Sequence, residues 1–371
     1  MPNAMAAILP VRKNFLKNKR RVKNVCASWV LWRSHRRPLW RYLSLMNKKI
    51  SILMSFVLLL TCSFTGCSGQ NSRTFTALGK NITITIFEGN DEILGKAVEL
   101  VNSLDQKLDT TNAESEISRL NASGGEPFEV SDELLAVLKY AYRYAERSEG
   151  AYDPTIGAVT SLWDFENEMV PSDESIKEAL KTVDYNNMVI DGFNVTLKNG
   201  AQIDLGGLTE GYIIDRVAGL LKQEAYFNAV LDFGGNIYTI GQENYEVGIK
   251  KPFSEGGISA TLLLNDGAAI TAGSYERFFR KDNKLYHNII YPETGMPVNN
   301  ELESVTVVCT SAVEAAAYSH AFFVLGRERA TSLANSFMGI SAIFIENDGK
   351  VYYTRRLALD ENNRLYVKEE E

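Results

Sequence analysis

The 371-residue sequence predicts an α+β fold, in which mixed, largely antiparallel sheets pack against helices. Three observations support this class. Predicted strands come in runs instead of in strict alternation with helices, which argues against a doubly wound sheet. Apolar residues at helical spacing mark several amphipathic helices. No linker rich in Pro, Gly and Ser divides the body, so we expect one large domain or two closely packed lobes.

Patterns along the chain place the elements between residues 74 and 354. Strands are predicted at 74–87, 188–190, 195–198, 202–205, 228–233, 237–240, 245–249, 259–264, 304–310, 341–346 and 351–354. Helices are predicted at 92–108, 116–121, 131–145, 208–222, 312–325 and 328–337, with Gly326 between the last two. Residues 269–280 and 285–295 form a predicted strand pair, joined by the polar turn 281–284.

The turn at Gly206-Gly207 is a candidate ligand site, because it joins a predicted strand to a predicted helix. Paired glycines let the backbone turn tightly or approach a bound molecule closely. Thr209 is expected to cap the helix, whose free amides and partial positive charge suit a phosphate. Asp204 and Glu210 suit hydroxyl or ring-nitrogen donors. The same kind of turn also serves packing alone in many α/β proteins, so both interpretations stay open here.

A second candidate is the loop at 151–157. Asp153-Pro154 and Gly157 fix its backbone between a predicted helix and the apolar segment around Trp163. The loop backbone and Asp153 are therefore placed to meet a planar ligand.

The first 66 residues are predicted to be absent from the mature protein. Residues 1–45 hold eleven Lys or Arg and no acidic residue, and a second start at Met46 begins a segment with the order of a secretory signal. An apolar run leads to small residues and Cys67, as in bacterial lipoprotein signals, although Phe64 replaces the usual Leu. We interpret 1–45 as upstream mistranslation, with a basic arm for nucleic acid or membrane as the alternative. Residues 46–66 are the predicted lipoprotein signal peptide, and 67–72 are a tether acylated at Cys67.

The exported part is strongly acidic. Cleavage before Cys67 leaves 26 basic and 46 acidic residues, a net charge of −20. Such a surface repels nucleic acid and anionic headgroups, so no nucleic-acid partner is expected. An anionic ligand then needs a metal ion or a local basic cluster such as Lys250-Lys251. Only Cys67 and Cys309 remain of the four cysteines, so no internal disulfide is expected.

Missing motifs argue against several enzyme classes. The sequence contains neither Gly-x-Ser-x-Gly nor Gly-x4-Gly-Lys-Ser/Thr, so it predicts neither a hydrolase triad nor a phosphate-binding loop of that type. The exported part has two histidines, His287 and His320, which argues against a clustered histidine zinc site. Each histidine also has a plain interpretation as a packing or surface residue.

Six motifs, taken in order, closely resemble the ApbE-type FAD:protein FMN transferase family of bacterial lipoproteins. The resemblance covers about residues 73–355 and leaves 356–371 as a polar C-terminal tail. The motifs are Ser115-Glu-Ile-Ser-Arg-Leu-Asn121, Tyr152-Asp-Pro-Thr-Ile-Gly157, Asp204-Leu-Gly-Gly-Leu-Thr-Glu-Gly-Tyr212, Asp232-Phe-Gly-Gly-Asn-Ile-Tyr238, Gly273-Ser-Tyr-Glu-Arg-Phe-Phe279 and Pro292-Glu-Thr-Gly-Met-Pro297.

The resemblance implies an exported enzyme, lipid-anchored at the outer face of the cytoplasmic membrane or in the periplasm. Such an enzyme binds FAD, splits its pyrophosphate with a divalent metal (Mg²⁺ in the family), and joins the FMN half to a Ser or Thr of a redox protein. AMP leaves. The implied metal contacts are Gly207, Ser319 and His320, and the implied catalytic residue is His287. The implied FAD contacts are Leu78, Thr111, Ala151, Tyr152, Asp153, Asp204, Glu210 and Ile290, with Thr111 replacing a Tyr that stacks on a ring in the family.

The chain departs from the family pattern at the metal. The family's late helix carries Asp and, four residues later, Thr on one face, whereas this chain has Ala316 and His320 there. The family's His-Ile-Ile-Asp-Pro is replaced by Asn288-Ile-Ile-Tyr291-Pro. The nearby His287 is one place earlier, which is the opposite face of a strand, so it serves catalysis only if the strand is bulged.

These features leave two main hypotheses. The first is an active FMN transferase with altered metal use, supported by Asp153, Asp204 and Gly206-Gly207. The second is an FAD-binding lipoprotein that kept the fold and lost transfer through its changed metal ligands. A general solute-binding lipoprotein is a third class, but it needs two lobes joined by a hinge, and the motif match argues against it.

Overall fold

An eight-stranded antiparallel sheet lies at the centre of the fold in the computed structural model, which describes residues 70–368. The strands are β1 (Asn71–Ala77), β2 (Lys80–Ile86), β3 (Phe128–Glu129), β4 (Met188–Asp191), β5 (Asn194–Leu197), β6 (Ala229–Phe233), β7 (Asn236–Ile240), β8 (Tyr245–Lys250), β9 (Ile258–Leu264), β10 (Gly267–Gly273), β11 (Phe278–Lys281), β12 (Lys284–His287), β13 (Leu302–Cys309), β14 (Ser341–Glu346), β15 (Val351–Tyr353), β16 (Leu357–Leu359) and β17 (Leu365–Val367). The helices are α1 (Asp91–Leu108), α2 (Glu116–Asn121), α3 (Asp132–Arg147), α4 (Gly157–Thr160), α5 (Asp173–Leu180), α6 (Gly207–Gln223) and α7 (Ala312–Ser336).

The large sheet has the strand order β1-β2-β6-β7-β10-β13-β14-β15, and every neighbouring pair is antiparallel. Three smaller sheets accompany it, with the orders β16-β17-β9-β8, β3-β5-β4 and β11-β12. In the first of these, β17 pairs with β9 in parallel. The predicted α+β class with mixed, largely antiparallel sheets is therefore confirmed.

Each face of the large sheet buries its own apolar cluster, because successive side chains on a strand point to opposite faces. On one face, Phe344 joins the main core with side chains of α1, α3, α6 and α7. On the other face, its neighbour Ile343 packs in a cluster with Val247 and Leu262 of the smaller sheet. Strands β16 and β17 lie in the segment 356–371, which we predicted to be a polar C-terminal tail. Their residues Leu357 and Leu365 belong to this second cluster.

Several predicted strands differ from the structure. Residues 269–280 are two strands, β10 and β11, separated by a turn, and of residues 285–295 only those up to His287 belong to a strand, β12, although its predicted pairing with β11 is confirmed. Residues 74–87 form two strands, β1 and β2, because the chain reverses at Leu78-Gly79, where both residues have positive φ (53° and 69°). Residues 202–205 are not a strand and make one isolated bridge, between Ile156 and Gln202. Their backbone groups have other partners: Asn121 bonds both the N–H and the C=O of Ile203, at 2.6 and 2.9 Å.

The helices largely follow their predicted positions. One predicted helix cap is wrong, and the structure has two short helices in addition. The predicted break in the late helix is confirmed at Gly326, whose φ and ψ are 75° and 161° inside α7. Thr209 does not cap α6 as predicted, since it lies buried within the helix and the cap position is Gly206. The short helices α4 and α5 were not predicted.

The leader at 1–45, the signal peptide at 46–66 and the acylation site Cys67 lie outside the described residues. Within residues 70–368, no helix has both the length and the apolar character that a bilayer span requires.

Candidate functional site

A cavity of about 490 Å³ opens where the loop before α6 meets α4, α7 and the chain after β12. This volume lies within the usual range for small-molecule sites. Its lining includes eight of the twelve residues that the sequence analysis predicted, namely Thr111, Ala151, Tyr152, Asp153, Asp204, Gly207, Ile290 and His320. The other four, Leu78, Glu210, His287 and Ser319, are not among the lining residues.

Asp204 is held in the cavity wall by a set of short hydrogen bonds. Its Oδ2 accepts from the hydroxyl of Thr160 at 2.6 Å, and its Oδ1 accepts from the backbone N–H of Gly206 at 2.9 Å. The backbone N–H of Asp204 donates to the carbonyl of Pro154 at 2.8 Å. These bonds fix the carboxylate and the entry of the chain into α6.

The N-terminus of α6 faces the cavity without a side-chain cap. Gly206 occupies the cap position with φ 52° and ψ −135°, a conformation that favours glycine, and both Gly206 and Gly207 line the cavity. The first amides of a helix lack partners within the helix and carry a partial positive charge. This end of α6 is therefore suited to an anionic group such as a phosphate.

The packing of α6 against α7 brings His320 next to that helix end. A Cβ on Gly211 would collide with the carbonyl of Ala312, so the two helices approach closely only because residue 211 is glycine. Asp215 of α6 also caps α7, accepting from the backbone N–H of Ala312 at 2.7 Å and from the Ser311 hydroxyl at 2.8 Å. The close packing at Gly211 and the hydrogen bonds of Asp215 therefore together fix how α6 crosses α7.

The imidazole of His320 lies over the two glycines. A Cβ on Gly206 would be 4.0 Å from Nε2, and a Cβ on Gly207 would be 3.9 Å from Nδ1. The ring makes no hydrogen bond to any other residue in the described part of the chain. Burial lowers the pKa of His320, while the nearby Asp204 acts in the opposite direction. Burial therefore favours the neutral form of the His320 imidazole, which lines the cavity.

The loop at 151–157 forms another wall of the cavity. Both oxygens of Asp153 accept hydrogen bonds from the protein, Oδ1 from the N–H and hydroxyl of Thr155 and Oδ2 from the N–H of Tyr185. Burial raises the pKa of Asp153, and these hydrogen bonds act against that shift. The Tyr152 hydroxyl donates to the carbonyl of Leu205 at 3.3 Å, which ties the loop to the start of α6.

His287, which we predicted as catalytic, has contacts that do not fit that role. Its Nε2 bonds the carbonyl of Val298 at 2.9 Å, and its Nδ1 accepts from the N–H of Ile289 at 3.3 Å. The ring is buried and packs edge-on against Phe323. Because β12 ends at His287 and the next residue, Asn288, lines the cavity, the two side chains lie on different sides of the chain. Both nitrogens of His287 are occupied away from the cavity.

Glu210 and Leu78 are also held by protein partners outside the cavity lining. The carboxylate of Glu210 accepts from the ammonium of Lys80 at 2.6 Å and from the amide of Asn236 at 2.8 Å. The backbone N–H of Leu78 donates to Asp105 at 3.0 Å. Neither residue is among those that line the cavity.

The residues near Gly207 do not fit the oxygen ligands that Mg²⁺ requires. Ala316 offers a methyl group, and the Ser319 hydroxyl donates to the carbonyl of Ala316 at 2.9 Å. No group of three or more His, Cys, Asp or Glu in residues 70–368 could hold a metal ion. Mg²⁺ is usually held by one or two carboxylates together with waters and substrate phosphates, and the carboxylate that the family places on this helix is replaced here by the Ala316 methyl group.

Among the lining residues that were not predicted as site residues, Thr160 and Arg277 bear most directly on the chemistry of the cavity. Thr160 holds Asp204, and Arg277 is the single Lys or Arg among the residues that line the cavity. Arg277 belongs to the motif Gly273–Phe279 that the sequence analysis quoted, so its cationic side chain was the available signal. Thr160 carried no signal, because a lone Thr after a loop has no distinctive pattern.

Together, the α+β fold and the uncapped helix end in a cavity are features of a protein class suited to binding a phosphate-bearing small molecule. The sequence profile described as the ApbE family matches residues 78–344. The FAD:protein FMN transferase of Treponema pallidum is 31% identical over 326 residues, which cover 79% of this chain and 90% of the relative. The chain belongs to the ApbE family, and the resemblance found in the sequence is confirmed.

Solved structures agree with this membership. The ApbE protein of Thermotoga maritima has a TM-score of 0.71 and 31% identity, with 77% of this chain and 97% of that chain covered. The flavin transferase ApbE of Vibrio cholerae has a TM-score of 0.69 and 27% identity, with 77% and 98% covered. The fold described above is therefore similar to that of known flavin transferases.

Proposed function

We propose that this chain is an FAD:protein FMN transferase, which moves the FMN half of FAD onto a Ser or Thr of an acceptor protein. The observation that carries the proposal is the uncapped N-terminus of α6, which opens at Gly206-Gly207 into a cavity beside the fixed carboxylate of Asp204. Family membership and the printed names of the relatives give that cavity its substrate, FAD.

In the proposed reaction, the acceptor hydroxyl oxygen attacks the phosphorus of the FMN half of FAD. A new O–P bond forms, the bond from that phosphorus to the bridging oxygen breaks, and AMP leaves with the bridging oxygen and its electron pair. The amides at the start of α6 bind the pyrophosphate and stabilise the charge that develops on it. Asp204 orients the α6 entry through Gly206 and is placed to accept from a hydroxyl or ring N–H of FAD.

The hydroxyl proton needs an acceptor, and His320 is the group that suits this role. Burial lowers the pKa of His320 and so favours the neutral imidazole that can accept a proton, and no residue among 70–368 hydrogen-bonds to its ring nitrogens. His287 could accept the hydroxyl proton only by losing its hydrogen bonds to Val298 and Ile289. No step of this mechanism depends on a metal ion, because the donor set does not fit the Mg²⁺ expected from the family.

The cellular setting is also part of the proposal. The signal-like segment before Cys67 and the acidic exported part support an enzyme that is lipid-anchored outside the cytoplasm. Its acceptor is then an exported redox protein.

Mass spectrometry tests the proposed function directly. The protein is incubated with FAD and a candidate exported acceptor protein, with and without Mg²⁺ or Mn²⁺, and the acceptor is analysed for a covalent FMN adduct on Ser or Thr, together with free AMP. We expect one AMP for each adduct. Tight FAD binding without any adduct would instead favour the flavin-binding lipoprotein that has lost transfer.

A further inference from the structure

The β11–β12 hairpin concentrates positive charge at the rim of the cavity. Residues 277–284 contain four basic side chains, Arg277, Arg280, Lys281 and Lys284, and one acidic side chain, although the whole chain has a net charge of −7. All four basic residues are exposed. At the base of the hairpin, Arg277 and Asn288 both line the cavity, and the N–H of Asn288 donates to the carbonyl of Arg277 at 3.1 Å.

The four charges have no acidic partner within ion-pair distance among residues 70–368. Three of them lie over aromatic rings instead: Arg277 over Phe165 at 5.3 Å, Arg280 over Phe253 at 5.4 Å and Lys284 over Tyr286 at 5.0 Å. Cation–π contacts hold a basic side chain in place without neutralising its charge. Arg277 also interacts electrostatically with Asp164, so the positive charges most available to an anionic partner are those of Arg280, Lys281 and Lys284.

Exposed aromatic rings lie on the same surface. Phe253 and Phe278 are 42% and 38% exposed, and their ring centroids are 5.1 Å apart. Phe253 has φ 51°, a left-handed conformation that is unusual for a bulky side chain. Exposed aromatic and Arg side chains are enriched at protein interfaces, and strained backbone collects at functional positions.

We propose that this surface, formed by Phe253, Phe278 and the four basic residues of 277–284, docks an acidic segment of the acceptor protein. The inference rests on the proposed transferase function, because it names how the acceptor is recognised. A segment bound to the hairpin lies beside the cavity, since Arg277 belongs to both. The acceptor hydroxyl then enters next to the FAD site.

The positive charge of the hairpin favours an acceptor protein that carries an acidic segment. The chain has a net charge of −7, which disfavours anionic partners in general, whereas the hairpin carries four basic residues beside the cavity. An anionic membrane surface would use the same charges, but it would cover the cavity rim through which the acceptor protein must enter. The observations therefore favour the protein partner.

Peptide binding tests the proposal. Two fluorescent 15-residue peptides carry a central Thr, one with four flanking Asp or Glu and the other with Asn or Gln at the same positions. Fluorescence anisotropy is measured with the FAD-loaded protein. We expect the acidic peptide to bind at least about tenfold more tightly, and the preference to fall as salt is raised. Equal affinity for the two peptides would overturn the proposal.

Charge reversal locates the surface. Arg280→Glu with Lys281→Glu should abolish the preference for the acidic peptide while FAD binding stays unchanged, which also shows that the variant is folded. The matched control reverses two exposed lysines elsewhere, Lys139→Glu with Lys198→Glu, and should keep the preference. A preference that survives the hairpin reversal, or is lost equally in the control, contradicts the proposal.

Two further readouts separate this inference from its alternatives. Vesicles with anionic lipid that bind the wild type but not the hairpin variant, combined with no peptide preference, would assign the surface to a membrane and overturn the acceptor assignment. FMN transfer to a protein acceptor with an unchanged KM in the hairpin variant would refute docking and leave the transferase intact. Acidic-peptide binding without any FMN adduct would support docking and count against the transferase.

Discussion

The hydroxyl of Thr160 donates to Asp204 Oδ2 at 2.6 Å, which joins the end of α4 to the segment that enters α6. The two residues are 44 positions apart in the chain. The bond fixes the carboxylate of Asp204, which stands next to the uncapped helix end. The bond therefore links the loop wall of the cavity to the end of the cavity that is suited to an anion.

Replacing Asp204 should weaken FAD binding. Asp204→Ala removes a charged acceptor and the bonds to Gly206 and Thr160, and the loss of one charge-assisted hydrogen bond costs about 1.5–3 kcal/mol, or roughly one to two decades in Kd. Titration calorimetry measures the effect. Asp348→Ala, an exposed carboxylate outside the cavity lining, is the control. Identical FAD affinity in the Asp204 variant and the wild type would remove Asp204 from the site.

His320 should control transfer more than binding. His320→Gln keeps a polar side chain but removes the base, so we expect the transfer rate to fall about 100-fold or more while the Kd for FAD changes little. The wild-type rate should also fall only as the pH drops through the lowered pKa of His320, which is below the ordinary value of about 6.5. A pH profile with an acid limb above 6.5, or an active Gln variant, would contradict this role.

Substitution of His287 should affect stability instead. His287→Gln disturbs the bonds to Val298 and Ile289 and the packing on Phe323, so we expect a loss of about 1–3 kcal/mol in the free energy of unfolding. Urea denaturation measures that loss. The transfer rate per folded molecule should stay within a few-fold of wild type. A stable variant that has lost transfer would restore His287 to catalysis.

Ala316→Asp should create a response to Mg²⁺. The new carboxylate lies one helical turn before His320, at a buried position where an unpaired charge is costly. We expect the variant to unfold at a lower temperature than wild type, and Mg²⁺ to raise its Tm and its transfer rate. Wild-type Tm should not respond in the same way. Brisk Mg²⁺-dependent transfer by the wild type, with no gain in the variant, would show that the metal-loss interpretation is wrong.

The lipid anchor is tested at Cys67. Acylation there should hold the protein in the membrane fraction, and Cys67→Ser should release it or leave the signal segment uncleaved. Intact-mass analysis of membrane-extracted protein gives the N-terminus and the modification. An N-terminus at Met1, or an unmodified Cys67, would refute the predicted processing.

Sequence patterns predicted the fold class and most elements, because the period of apolar residues reports the buried face of a helix or strand locally. They failed where distant partners decide the structure. Residues 202–205 alternate like a strand, yet Asn121 takes the backbone bonds of Ile203. The hairpin at Leu78-Gly79 was missed, because alternation continues on both sides of the turn.

The sequence by itself also determined the family, through motifs whose order and spacing are specific, and it identified the loss of oxygen ligands at Ala316 and His320. Only the tertiary structure decided the state of the two histidines. They differ because His287 lies next to the Val298 carbonyl, whereas the close α6–α7 crossing at Gly211 leaves the ring of His320 facing Gly206 and Gly207. Those contacts join residues far apart in the chain, and local pattern carries no information about which nitrogen remains free.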